Sequence, residues 1–493
     1  MAFTLRAPPR LQAKKDAYPY QLDAFRAIQK LPYAAIFHEQ GLGKTKIAID
    51  LMLYWLDEDI VDTVFVVTKK ALVENWSREI SVHSHVTPSI LSGNRRENSL
   101  ALNSPVIIYV MNYEVVSNNF ELIELFLATC RVGIFLDESQ KIKNPDSKIA
   151  RDYHSLASHF VRRVIMTGTP VANRPYDIWS QINFLDGGES LGNSFPEFKA
   201  KTEIPDRDAK STNYSDNLAS VMTKLKAFSV RETKKSSGLE LPDKTIVTHI
   251  VKMEHHQSEI YCNYRDELAH EFQSSIGSVR DDAESILKRL LRLVQCASNP
   301  ILVDESYDYV PGKFSTLCKL LESEILESPL ETNVIVWTSF IRNAEWLKDN
   351  LKQYNPALVH GGIDIDERNR SIARFKSDKS CQVLIATPGA AKEGLTLTNA
   401  NHSVFYDRSF SLDDYLQSQD RIHRISQTRD CFVHNLIADK TIDEWVDSLL
   451  NAKFKAAQLA QGDITQYEFD STFDFDLSEA LSIVLNRPRD LTT

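Results

Sequence analysis

Short continuous apolar runs, spaced by longer stretches of helical period, set the rhythm of this chain. The runs at 34–37, 64–67, 106–110, 132–136 and 164–166 are rich in Val and Ile. That pattern predicts strands buried on both faces of a parallel sheet. Segments such as 47–55 lie between them with apolar residues at helical spacing. Strand and helix therefore alternate, which predicts a doubly wound α/β domain over 1–185. From about 186 to 312 the strand-like runs vanish and charged, helix-forming sequence takes over, including 195–201 and 284–293. A helical insertion with a linker is the expectation there. Alternation resumes with 333–337, 357–359, 383–386 and 404–406, predicting a second α/β domain over 313–450. Residues 451–493 are acidic, with Tyr467, Phe469, Phe473 and Phe475, and read as a brace on the core or a partner-docking tail.

The chemistry sits at the ends of these runs. The first run passes into His38-Glu39-Gln40-Gly41-Leu42-Gly43-Lys44-Thr45 and then a helix. Strand, glycine loop and helix form a phosphate cradle: Gly41, Leu42 and Gly43 present backbone N–H groups and the helix N-terminus adds positive potential. Lys44 reaches the β- and γ-phosphates and the Thr45 hydroxyl suits magnesium. His38 stands where such a loop usually has its first glycine. The run 132–136 ends in Asp137-Glu138-Ser139-Gln140, and paired carboxylates there need a reason. A magnesium-binding Asp137 beside a water-orienting Glu138 supplies one; a strand-ending turn is the plainer reading. Gln21, upstream, suits an adenine edge or a solvated helix start. Lys69 and Lys70 end the run 64–67, where phosphate contacts and a solvated loop charge are the two readings. Trp337 reads as core. His360, without spaced ligand partners, reads as a loop hydrogen-bonding residue. Gln417, Arg421 and Arg424 fall four and three apart, on one face if helical.

Composition narrows the classes. The chain has 493 residues, enough for two or three domains. Its content of 43% apolar and 25% charged residues is that of an ordinary globular protein. No apolar run is long enough for a bilayer and no signal-peptide pattern opens the chain, so no membrane role and a reducing, cytoplasmic compartment are expected. Six scattered cysteines with no C-x-x-C pair indicate neither a zinc module nor a disulfide framework. The net charge of −10 argues against a broad basic face, so any nucleic-acid contact is a local groove.

Taken in order, these blocks resemble superfamily 2 helicase-like motors, and among them the Swi/Snf family of double-stranded DNA translocases. Gln21 resembles the family's adenine-reading Gln, 41–45 its motif I, 137–140 with Lys143-Asn144 its motif II, and 166–170 with Asn173 its motif III. Gly394-Leu395-Thr396-Leu397 resembles motif V and 417–427 motif VI. Residues 231–242 and 293–300 resemble the family's Arg-x-x-Lys…Leu-Pro linker and its Asn-x-Pro helix end. Gln140 replaces a His that links the carboxylate pair to the second domain, His38 replaces an acid, and the tryptophan-rich turn after Asp407 is missing. These departures point to a divergent prokaryotic or viral member, acting in its own or its host's cytoplasm.

The resemblance implies two RecA-like doubly wound parallel-sheet domains with a helical insertion between them. It implies ATP and Mg2+ as cofactors, with Gln21, Gly41, Leu42, Gly43, Lys44, Thr45, Gly394 and Gln417 at the nucleotide and Thr45 and Asp137 at the metal. Lys44, Asp137, Glu138 and the arginine fingers Arg421 and Arg424 carry the catalysis. Lys69, Lys70, Tyr113, Ser339, Gly361 and Thr387, at strand ends, are the expected contacts to duplex DNA, with a protein partner supplying targeting. A strand-separating DNA or RNA helicase and a non-motor ATP switch are the alternatives.

Overall fold

The computed structural model describes residues 10–487, apart from 93, 172, 205–212, 240, 275–282, 326–331, 392–396, 474 and 476. Two compact units emerge. The first holds the chain up to residue 203 together with 213–239 and 456–470; the second holds chiefly 241–455 and the stretch after 471.

In the first unit the described strands are β1 (Tyr33–Ile36), β2 (Thr63–Thr68), β3 (Ser89–Leu91), β4 (Ile108–Asn112), β5 (Val132–Asp137), β6 (Arg162–Met166) and β7 (Ser229–Val230). They form one sheet in the order β3-β4-β2-β5-β6-β1-β7, parallel throughout. Helices cover both faces, so β2 is buried at every position, as its unbroken apolar run requires. The helix Lys44–Asp57 turns Ile47, Ala48, Leu51, Met52 and Trp55 into the core, where Trp55 lies 4.9 Å from the Phe135 ring. Register fixes the functional edge: Ile36 pairs with Met166, and Met166 with Asp137. In a parallel sheet these residues close their strands side by side, so the three loops that follow open together.

The second unit contains β8 (Lys244–Val251), β9 (Asn333–Trp337), β10 (Ala357–Val359), β11 (Val383–Ala386), β12 (Ala400–Phe405) and β13 (Cys431–Ala438). Their order is β10-β11-β9-β12-β13-β8, again all parallel. Trp337 is fully buried, and its indole N–H donates to Ser403 Oγ at 2.8 Å. It is a core residue with its polar handle satisfied. No helix among the described residues is long and apolar enough to cross a membrane.

Four of the described strands lie where the apolar pattern predicts none: β3, β7, β8 and β13. The stretch expected to be a helical insertion with a linker supplies two of them, β7 and β8. β3 and β7 are too short to show a period. Among the described residues β8 pairs only with β13, and five of its eight positions are exposed, Ile246 and Ile250 among them, so it lacks the covered faces that an apolar run signals. β13 is interrupted by His434 and Asn435, which are buried because they have partners. His434 bridges His249 and His402 at 3.0 and 3.1 Å, and Asn435 donates to Tyr415 Oη at 2.9 Å.

Candidate functional site

The phosphate loop follows β1. Gly41 and Gly43 take φ of 89° and 70°, and Gly43 starts the helix. Glycine occupies this left-handed region without strain. The loop is held from behind: Tyr20 Oη and Gln21 Nε2 donate to the Leu42 carbonyl at 3.1 and 3.2 Å. Gln21 Oε1 also accepts from Tyr18 N at 3.0 Å, closing a capping box on the helix Pro19–Ile28. Gln21 is therefore buried and structural here, which corrects the solvated reading. Any Cβ on Gly43 would lie 2.3 Å from Gln21 Nε2. Lys44 Nζ donates to the His38 carbonyl at 3.0 Å. The His38 ring is 2% exposed. Burial, then Lys44 and Arg231 nearby, lower its pKa to about 4, since each disfavours the charged form.

Asp137 closes β5 and is gripped by two donors. Trp76 Nε1 reaches its Oδ2 at 2.7 Å and Thr68 Oγ1 reaches the same oxygen at 3.1 Å. Burial and the neighbouring Glu138 still hold the Asp137 carboxyl above the ordinary range, against the pull of Trp76, Lys44 and Thr68. A cation is the charge this pocket lacks. Glu138 sits at a φ of 53°. That left-handed conformation costs a non-glycine residue about 1–3 kcal/mol and clusters at active sites. Its Oε2 takes the Gln140 amide and lies 3.7 Å from Lys69 Nζ.

The Thr167–Pro170 loop follows β6 and packs onto the phosphate loop. A Cβ on Gly168 would meet Gln40 Cγ at 2.6 Å, Gln40 N at 3.1 Å and Lys44 Nζ at 3.2 Å. Only glycine allows that approach. On the other flank, β7 leads into Arg231, whose Nη1 donates to the Phe37 carbonyl at 2.8 Å while its Nε and Nη2 pair with Asp463. Glu39 is fixed by Glu232 and Lys234. The expected linker thus walls the phosphate loop.

These groups fit a magnesium nucleotide: a glycine cradle on a helix N-terminus, a lysine resting on a backbone carbonyl, and a carboxylate whose burial calls for a cation. Gly41, Leu42, Gly43, Lys44 and Thr45 follow β1, and Asp137 and Glu138 close β5, so all lie at the C-terminal end of one parallel sheet.

Several expected polymer contacts sit differently. Tyr113 is fully buried and donates to the Asp137 carbonyl at 2.9 Å, so it supports the carboxylate loop and offers no surface to a polymer. Lys69 is half-buried with its Nζ 3.7 Å from Glu138 Oε2; Lys70 is exposed. In the second unit Ser339, Gly361 and Thr387 follow β9, β10 and β11 at one edge of their sheet. Gly361 is exposed and Thr387 is buried. Ser339 N donates to Asp407 Oδ1 at 2.6 Å; the Thr338 and Ser298 hydroxyls donate to Asp407 Oδ2 at 2.6 and 2.8 Å. His360 accepts from Gly362 N at 3.1 Å, the loop bond expected of it. The helix Leu412–Gln419 ends before Arg421 and Arg424, so the three residues do not share one helical face. Gln417 donates to Asp413 at 2.6 Å; Arg421 and Arg424 fold back onto the Gln417 and Asp420 carbonyls, both at 3.1 Å. Gly394 lies outside the described residues.

Thr68, Trp76, Ser139 and Gln181 were not singled out by sequence. Trp76 carried a signal, since a tryptophan on the helix after a strand end has an N–H that needs a partner.

Residues 32–302 match the SNF2-related domain and 312–426 the Helicase conserved C-terminal domain. A Bacillus subtilis protein, YwqA, assigned as an ATP-dependent helicase/translocase, is 28% identical over 437 residues, 85% of this chain and 45% of that protein. The ATP-dependent DNA helicase DDM1 of Arabidopsis thaliana is 24% identical over 485 residues, 90% of this chain and 62% of that one. The chain spans less than half the length of the first of these and less than two thirds of the second. The Sulfolobus solfataricus SWI2/SNF2 ATPase core in complex with dsDNA is 25% identical, covers 98% of this chain and 99% of its own, and has a TM-score of 0.43.

Proposed function

The chain belongs to the SNF2-related family, and on that premise we propose that it hydrolyses ATP with Mg2+ to translocate along duplex DNA. The observation that carries this reading is the convergence at one sheet edge: Lys44 beneath Gly168, beside a doubly held Asp137 and a strained Glu138. Lys44, the loop amides and the helix N-terminus bind the triphosphate, and Thr45 and Asp137 hold the metal. When bound, Mg2+ screens the phosphate charge. Glu138, kept aimed by its left-handed backbone and the Gln140 amide, orients the attacking water. Arg421 and Arg424 are the arginine fingers of this reading, an element worth roughly 10³–10⁵ in rate in other nucleotide hydrolases. The hydrolytic cycle then gates motion of the two units along the backbone. Lys70, Ser339 and Gly361 are the polymer contacts, through phosphates and hence independent of sequence. A partner protein supplies targeting in the cytoplasm.

Displacement of a third strand from a DNA triplex tests translocation directly. ATP-dependent displacement, with no separation of a forked duplex, is the expected result. Separation of the fork makes the protein an unwinding helicase, and failure in both assays leaves a nucleotide switch.

A further inference from the structure

A glutamine lies in the middle of the helix Ile178–Asp186, where its neighbours Ile178, Ile182, Phe184 and Leu185 are buried apolar residues. Gln181 itself is 0% exposed. A buried amide in such surroundings is costly unless all its hydrogen-bonding groups are met, and here they are. Oε1 accepts from Ser139 Oγ at 2.6 Å, and Nε2 donates to the Asp177 and Pro170 carbonyls at 2.9 and 3.3 Å. Ser139 is also fully buried.

What the amide joins gives it meaning. Ser139 follows Glu138, so it is fixed to the strained turn that aims the carboxylate. Pro170 ends the loop whose Gly168 touches the phosphate loop at Gln40 and Lys44. One side chain therefore connects the Glu138 turn, through Ser139, to the loop lying on the phosphate loop. A pair of apolar residues at 139 and 181 would fill the same space without joining the loops.

We propose that Gln181 is a positioning residue that makes the Glu138 turn and the Thr167–Pro170 loop move as one body during hydrolysis. This rests on the ATPase reading above. Neither Gln181 nor Ser139 touches the reacting atoms; they act through Glu138 and Gly168.

The test uses the full chain with Ser139→Ala, Gln181→Leu and the double variant. Either single change strands a buried polar partner and lowers the melting temperature; the double change removes the stranded hydroxyl and recovers part of that loss, the Pro170 carbonyl still lacking its donor. Stability and turnover separate in the double variant: its duplex-DNA-stimulated kcat falls about ten-fold or more, with KM for ATP within about two-fold. A double variant that recovers kcat along with stability overturns the proposal, because the bridge is then only a staple. Hydrogen exchange on addition of ADP gives a readout independent of turnover. In the wild type, 138–142 and 167–171 gain protection together; in the double variant one gains it without the other. Joint protection in both proteins also overturns the proposal. A wild type that binds ADP without hydrolysing ATP sinks the ATPase reading while the exchange experiment still decides the coupling; one that binds no nucleotide sinks both.

Discussion

Trp76 donates its indole N–H to Asp137 Oδ2 at 2.7 Å, from the helix Val73–His83 that follows β2. The acid expected to carry the metal is thereby set by a core tryptophan. Hydrogen bonds to charged groups contribute about 1.5–3 kcal/mol. Trp76→Phe removes the donor and keeps most of the packing, leaving Thr68 as the donor to that oxygen among the described residues. The Asp137 pKa, already raised by burial, then rises further. Metal binding needs the deprotonated form, so the loss deepens as pH falls. Titration with a fluorescent nucleotide and Mg2+ is expected to show affinity weakened about ten-fold at pH 8, for about 1.4 kcal/mol, and more at pH 6.5. Equal affinity at both pH values would contradict the assignment.

Gly168→Ala places a methyl group 3.1 Å from the Gln40 backbone nitrogen and 3.2 Å from Lys44 Nζ. The phosphate loop must shift to admit it, and overpacking of this kind costs about 1–3 kcal/mol. The expected outcome is a folded protein whose nucleotide affinity drops at least about ten-fold. Calorimetric titration with ADP checks it.

Arg231 and Asp463 stand 232 positions apart in sequence and form a two-point ion pair, only 12% and 17% exposed. Arg231 also holds the Phe37 carbonyl at the start of the phosphate loop. Charge-assisted two-point pairs at such burial are the strong kind. A double-mutant cycle with Arg231→Gln and Asp463→Asn in urea unfolding is expected to give a coupling of about 1–2 kcal/mol. Additive effects would show that the tail does not brace the first unit here.

His249, His434 and His402 form a ladder across β8, β13 and β12, each ring hydrogen-bonded to the next. Burial lowers the His402 pKa to about 4, and burial with its two neighbours lowers that of His434 to about 3. The unfolded chain binds these protons near pH 6.5. Folded pKa values lie below unfolded ones, so stability is full above pH 6.5 and is lost as pH falls towards 4. For His434 the loss approaches about 1.4 kcal/mol per pH unit at most. Urea midpoints for the second unit are expected to fall between pH 7.5 and 5, and His434→Gln to flatten that slope.

The legible parts of this chain were those written locally. The runs 64–67, 132–136 and 164–166 are strands because both sheet faces are covered, and the loops closing their sheet carry Gly43, Lys44, Asp137 and Gly168 wherever the sheet is built. What stayed hidden depends on distant partners. β8 and β13 needed one another and a histidine ladder to bury polar residues. Tyr113 sits at a strand end like a polymer contact, yet its hydroxyl bonds the Asp137 carbonyl from within. Lys69 looks like a solvated cation until the Glu138 turn is placed beside it. Helical spacing of Gln417, Arg421 and Arg424 suggested one face, but the helix ends at Gln419 and Arg421 caps it through the Gln417 carbonyl.

The central claim is hydrolysis of ATP driven by duplex DNA. The most direct measurement is the ATP turnover rate at low salt without polymer, with single-stranded DNA, with duplex DNA and with duplex RNA, with Lys44→Ala as the blank. Strong stimulation by duplex DNA, abolished in the blank, is the expected result. A rate indifferent to every polymer, or one raised only by single strands or RNA, would contradict it.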